Sequence, residues 1–319
     1  MKCLALALIF ASAASAHAQG FPNRPIRFVV PLAAAGAGDI VGRTVAAKLS
    51  ELWGQQIVID NRPGANTIIG TDLVAKAKPD GYTWLLGVQG SLAINPATYH
   101  SLPYDAEKDF DPVTQMTLYG YVLVVHPALP VKNVTEFIAL AKAKPAQLAY
   151  GTSGNGGSNH LAGESFRLAA NIKLNAIPYK GSAPALTALL SGDVPVMFDT
   201  LITSIPLLKA GRLRALGVTL PRRSASLPDV PTIAEGGVRG YEFTAWQSIV
   251  VPAGTDKSIV NRIYTDTVKV LAMPEVRRKL VDEGANELIG STPDALGRQI
   301  RNDIQKYRKL IGDSGIKIE

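Results

Sequence analysis

Few side chains in this sequence could carry covalent chemistry. Beyond the first twenty residues the histidines are His100, His126 and His160, and the single cysteine, Cys3, lies at the very start. No His-Glu-x-x-His spacing occurs, so neither a transition-metal site nor a bound cofactor is expected. Gly151-Thr152-Ser153-Gly154-Asn155 comes close to a nucleophile elbow, but Asn155 stands where the last glycine belongs. A triad of Ser153, His160 and Asp199, in a secreted hydrolase, is the catalytic alternative these residue types offer. Against it, His160 falls at the start of a helical pattern, which suits a hydrogen-bond donor or a packing residue. Asp199 could contact a ligand or cap a helix over 203–209, and Asp39 could bind a ligand amine or cap the helix it begins.

Noncovalent chemistry is better supplied. Ile26 to Val30 is a short apolar run, the pattern of a strand buried on both faces, and it leads through the small residues 32–38 into a helical pattern from Asp39. A strand, a loop of tiny residues and a helix start together make an anion site. The first helical N–H groups have no internal partner, and the helix dipole favours negative charge. The loop does not match the dinucleotide fingerprint, because Val41 occupies the third glycine position, and no Gly-Lys-Ser/Thr follows.

The pattern recurs. Residues 56–60 and 82–87 read as strands, followed by the loops 61–67 and 89–91, with a helix over 68–78 between them. Three such units in the first 95 residues imply a parallel sheet whose strand ends open on one crevice. Further on, 103–112 reads as turns and 119–125 as a strand. Asn133 and Glu136 form a capping box for the next helix. The polar, Gly-rich loop 151–160 enters a helix over 161–170. Strands at 194–198, 214–219 and 246–251 follow, then two closing helices, 256–273 and 292–312, the last with Pro293 at its first position. Two loop-plus-helix starts, one early and one mid-chain, can face each other across a cleft.

Residues 1–18 read as an export signal: Lys2, an apolar stretch too short to span a bilayer, and the small-x-small site Ala16-His17-Ala18, placing cleavage before Gln19. The remaining chain, about 300 residues and 47% apolar over the whole sequence, is long enough for two lobes. Removing Lys2 leaves 32 basic against 26 acidic residues. These are dispersed apart from a few pairs, which argues against a nucleic-acid surface and fits mild attraction for small anions better.

Taken together, these segments resemble the periplasmic solute receptors of tripartite tricarboxylate transporters, the Bug family. The marks are Pro25-Ile26-Arg27 with Val29-Val30-Pro31, then Gly36, Asp39 and Arg43, Asn61 to Ala65 with Gly70, Pro79 to Thr83, and Asn95-Pro96. Later come Tyr150-Gly151-Thr152, Gly154, His160-Leu161, Pro178 to Gly181, Phe198-Asp199, Leu213 to Leu216, and Pro228 with Val230-Pro231-Thr232. The resemblance implies an α/β fold of the periplasmic-binding-protein type, two lobes each with a mostly parallel sheet flanked by helices, joined by crossing strands. Residues 19–120 and 235–319 would form the first lobe and 121–234 the second. The receptor would be a monomer without enzyme activity, capturing a small organic acid for transporter membrane subunits or a sensor kinase. By position, Leu32, Ala35, Gly36, Ala37, Asp39, Asn66, Thr67, Gln89 and Ser91 would hold one end of the ligand. Thr152, Ser153, Asn155, Ser158, His160, Tyr179, Gly181 and Asp199 would close from the other side.

Two departures from the family pattern stand out. Its first loop has a Pro-Gly-Gly core where this chain has Ala34-Ala35-Gly36, and its second has Gly-Gly where this chain has Asn66-Thr67. Ala35 should restrict the positive torsions Gly permits, while Asn66 and Thr67 add polar side chains, which implies a ligand choice shifted from the simplest diacids.

Overall fold

The computed structural model describes residues 20–284 and 287–314; the export signal, Cys3 and the cleavage site lie outside the described residues. Chain order runs β1 (Ile26–Val30), α1 (Ala37–Trp53), β2 (Ile57–Asn61), α2 (Ile68–Ala75), β3 (Thr83–Val88), α3 (Asn95–Thr98), β4 (Phe110–Val125), α4 (Val134–Ala143), β5 (Ala149–Thr152) and α5 (Ser158–Ala169). It continues through β6 (Asn175–Pro178), α6 (Ser182–Ser191), β7 (Val196–Thr200), α7 (Leu201–Lys209), β8 (Arg214–Val218), β9 (Thr244–Pro252), α8 (Lys257–Leu271), α9 (Pro274–Arg277), β10 (Glu287–Leu288) and α10 (Pro293–Ser314). Asn133 caps α4 as expected, its side chain accepting the Glu136 N–H at 2.8 Å, but Glu136 reaches back to the Lys132 N–H at 2.7 Å rather than to that of Asn133.

β1 pairs in parallel with β2 and β3, as the repeated strand–loop–helix pattern required. Phe28, Val29 and Val30 are fully buried because helices cover both faces of the sheet. β5 lies parallel to β6 and β7, forming a second parallel core.

The two cores are joined through β4. Its first part, Phe110 to Gly120, pairs antiparallel with β9, and its last, Tyr121 to Val125, with β7 and β8. The sequence placed turns at 103–112 and a strand only from 119. The strand in fact starts at Phe110, with Pro112 accommodated where the β4–β9 register shifts, since a bulge relieves the missing donor. The expected loop 89–91 is likewise helical, a π-helical turn over Gly90–Ile94 continuing into α3.

Where the strands cross, Thr219 ties three segments together. Its fully buried hydroxyl accepts the Tyr121 N–H at 2.8 Å and donates to the Phe243 carbonyl at 2.6 Å. Its backbone N–H donates to Tyr121, and its carbonyl accepts from Phe243, each at 2.8 Å. Beside it, a methyl group on Gly120 would lie 2.5 Å from Leu220 Cγ. Behind the crossing, Asp303 on α10 accepts the indole N–H of buried Trp246 at 2.6 Å, clamping β9. Thr219→Val leaves a buried N–H and a buried carbonyl unpaired, so urea unfolding should read a loss of about 2–4 kcal/mol; a loss below about 1 kcal/mol would show that the crossing does not need this hydroxyl.

Candidate functional site

Five helices begin at one cavity of about 450 Å3. Gly36 precedes α1, Thr67 α2, Gly157 α5, Gly181 α6 and Thr200 α7, and all five line its wall. None of these five residues makes a side-chain capping bond. Away from the cavity, Asn133 caps α4 and Asp256 caps α8 with their side chains. The cavity therefore gathers helix-start N–H groups that lack the usual capping oxygen, in dipole fields that favour an anion.

Three of these caps are glycines for steric reasons. A methyl at Gly36 would stand 3.0 Å from Ser182 Oγ, and one at Gly181 3.0 Å from Ala33 Cβ. The wall carrying β1 and the wall carrying β6 thus meet along this rim. Gly181 also takes φ +115°, a torsion side chains resist.

Of the expected binding residues, Leu32, Gly36, Ala37, Asn66, Thr67, Ser153, Ser158, Tyr179, Gly181 and Asp199 line this cavity. The others stand behind it or outside it. Asp39 is buried, not open to a ligand amine. It accepts from the Ala35 N–H (2.9 Å), Arg43 Nε (2.9 Å) and Asn61 Nδ2 (3.0 Å). Burial alone would raise its pKa, but the hydrogen bonds from Arg43, Ala35 and Asn61 outweigh it and hold the carboxyl below the usual value. Ala35, expected to refuse a positive torsion, adopts φ +62° because the Asp39 carboxylate pins its N–H. Its side chain is exposed, as is Asn155. Ser91 is fully buried, bonded to the backbone of Val88, and Thr152 to that of Gly154. Gln89 is buried with Nε2 on the Thr244 carbonyl at 3.3 Å.

The triad does not assemble. Ser153 Oγ donates to Asn159 Oδ1 at 2.8 Å, and His160 Nδ1 accepts the Gly156 N–H at 2.9 Å. Burial pushes the His160 pKa down, which favours the neutral imidazole. Asp199 takes hydroxyl hydrogen bonds from Thr203 (2.6 Å) and Ser204 (2.7 Å), not from a histidine. Among the described residues no group of three or more His, Cys, Asp or Glu could hold a metal.

Sequence reasoning missed Tyr119, Tyr121 and Gln247, which line the cavity from the crossing strands β4 and β9. The tyrosine rings lie 5.7 Å apart, Tyr119 interacts with Gln247, and Tyr121 with Ser158. The available signal was two tyrosines two apart, hence on one face of a strand, and a Gln within a largely apolar strand. A second, more open recess of about 610 Å3, beside Asp105, Lys108 and Arg308, holds none of the expected residues.

The sequence profile of the tripartite tricarboxylate transporter family receptor matches residues 41–316. The chain belongs to this receptor family. The receptor is 34% identical over 308 residues to the protein BugT of Bordetella pertussis, covering 96% of this chain and 94% of that one. Its fold matches R. palustris Rpa4515, solved with adipate, with TM-score 0.90 at 38% identity over 93% of this chain and 99% of that one. It also matches MatC of Rhodopseudomonas palustris, solved with bound malate, with TM-score 0.86 at 29% identity over 91% of this chain and all of that one. The receptor thus has the two-lobe periplasmic-binding-protein fold that the family resemblance implied, and among its described residues no helix is long and apolar enough to cross a membrane.

Burial pushes the Asp199 carboxyl above its ordinary value of 3.8, against the hydrogen bonds it accepts from Thr203 and Ser204. The folded receptor binds this proton more tightly than the unfolded chain. The group's contribution to stability is therefore complete below about 3.8 and is lost as pH rises through the raised value. Asn at this position keeps an oxygen for both hydroxyls and has no proton to lose. Thermal unfolding of Asp199→Asn from about pH 4 to pH 8 should show a flatter stability profile than the native receptor, whereas parallel profiles would refute the shift.

Proposed function

We propose that this receptor captures a small organic acid in the cavity between its two lobes and holds it chiefly through backbone N–H groups. The observation that carries this reading is the convergence of five helix starts without side-chain caps on one cavity. Two similar receptors solved with adipate and with malate support the acid class. Leu32, Gly36, Ala37, Asn66 and Thr67 would contact the ligand from one side, and Ser153, Ser158, Tyr179, Gly181 and Asp199 from the other. Tyr119, Tyr121 and Gln247 would form the floor. Asp39, Gln89, Ser91, Thr152 and His160 would act on the ligand indirectly, by fixing the loops that carry the contacts, whereas the side chains of Ala35 and Asn155 are exposed.

The change of partner along β4 at Tyr121 supports dividing the chain into one lobe of residues 19–120 with 235–319 and a second of 121–234. A monomer exported by its leader, cleaved after Ala18, would bind without turnover and present its ligand to transporter membrane subunits or to a sensor kinase. The separate partners of Ser153 and His160 support binding over hydrolysis.

A thermal-shift panel on refolded, ligand-stripped receptor tests the reading. A dicarboxylate at 100 times its dissociation constant should add about 2.7 kcal/mol, raising the melting temperature by several degrees, with the acid recovered unchanged. No shift with any carboxylate would reject it.

A further inference from the structure

We propose that Asn66 makes this receptor selective for carboxylates that bear a hydrogen-bond donor, a hydroxyl or an ammonium group, on the carbon chain; the inference rests on the carboxylate reading above. The argument begins with Asn95, which is fully buried. Its Nδ2 donates to the Asn66 carbonyl at 2.8 Å, and lies 3.3 Å from Thr67 Oγ1. A carbonyl can only accept, so the amide of Asn95 has one permitted orientation, with Oδ1 at its other end. That oxygen takes a hydrogen bond from Asn66 Nδ2 at 2.8 Å. The Asn66 amide is thereby fixed in turn. Its Nδ2 faces Asn95, and its remaining group, Oδ1, is an acceptor.

Asn66 Oδ1 accepts no hydrogen bond among the described residues, and Asn66 lines the cavity. Across the cleft, Oδ1 is 4.0 Å from where a Gly154 methyl would sit, yet the Gly154 N–H turns to Thr152 Oγ1 at 3.4 Å. The opposite wall therefore does not claim this acceptor. The backbone holds it out at a cost: Ala65, Asn66 and Thr67 take φ of +42°, +49° and +75°, torsions that glycine adopts freely and these residues do not.

Apart from the Asp199 carboxyl, the other wall groups offer mostly donors, namely the helix-start N–H groups, the tyrosine hydroxyls, and the Thr67 hydroxyl, whose proton stays free while its oxygen accepts from Asn95. Amid these donors, an unclaimed amide acceptor next to a donor matches a hydroxy acid or an amino acid. A plain methylene leaves Oδ1 desolvated and unpaired, and a second carboxylate placed there is repelled.

The test is calorimetric titration of the ligand-stripped full-length receptor with matched series: succinate, malate and aspartate; glutarate, 2-hydroxyglutarate and glutamate; adipate, 2-hydroxyadipate and 2-aminoadipate. At the chain length that binds best, a substituted acid should bind about fivefold or more tighter than its plain partner. The hydroxy and amino arms tell which donor is used. Asn66→Gly, whose new residue suits the positive torsion, should bring that ratio close to one. Tightest binding of a plain diacid by the native receptor would overturn the inference, without any variant. So would a substituted-over-plain ratio that survives in Asn66→Gly. No binding of any acid would instead reject the carboxylate reading and remove the inference with it.

Discussion

The N–H groups of a helix's first turn must be satisfied by water, by a side chain, or by a ligand. Elsewhere in this chain Asn133 and Asp256 provide that oxygen. At the cavity the cap positions are Gly36, Gly157 and Gly181, which have no side chain to offer, and Thr67 and Thr200, whose hydroxyls make no capping bond. Much else follows from leaving this debt open at one place. The wall needs few basic side chains, the loops must be made of small residues, and the helices must all start at the same level of the fold.

Parallel strands supply that last condition. Each strand of β1, β2, β5, β6 and β7 ends where a loop or a helix start begins, so their carboxyl ends collect the N-termini at one crevice. β4 and β9 then hold two such collections in register, and Thr219 fixes the crossing through all four of its hydrogen-bonding contacts. The rim closes because Gly36 and Gly181 are small enough for Ser182 and Ala33 to approach.

Local signals read well in this sequence. The apolar run Ile26 to Val30, the Asn133 cap and the Pro293 helix start all depend on neighbours in the chain, and all lie where the pattern put them. Most loops facing the cavity were legible for the same reason, the exception being 89–91, which is helical. What could not be read depends on contacts between distant segments. Asp39 looks available until Arg43 and Asn61 close around it. Tyr119 and Gln247 look like core residues of apolar strands until the crossing turns them toward the cleft. The left-handed torsion of Ala35 contradicts its own preference and is held by a carboxylate four residues on. The early part of β4 was hidden by Pro112, which signals a turn unless a bulge absorbs it.

A wall built from peptide dipoles has one property that a wall of charged side chains lacks. Amide groups keep the same partial charges in acid and in alkali, and burial lowers the pKa of the imidazole behind them, His160. Grip on an anion by the amide part of this wall is set by the ionisation of the guest, while Asp199 on the same wall carries a carboxyl that burial makes harder to ionise. The backbone share of the receptor's discrimination would therefore rest on shape and hydrogen-bond pattern while the acidity of the medium changes.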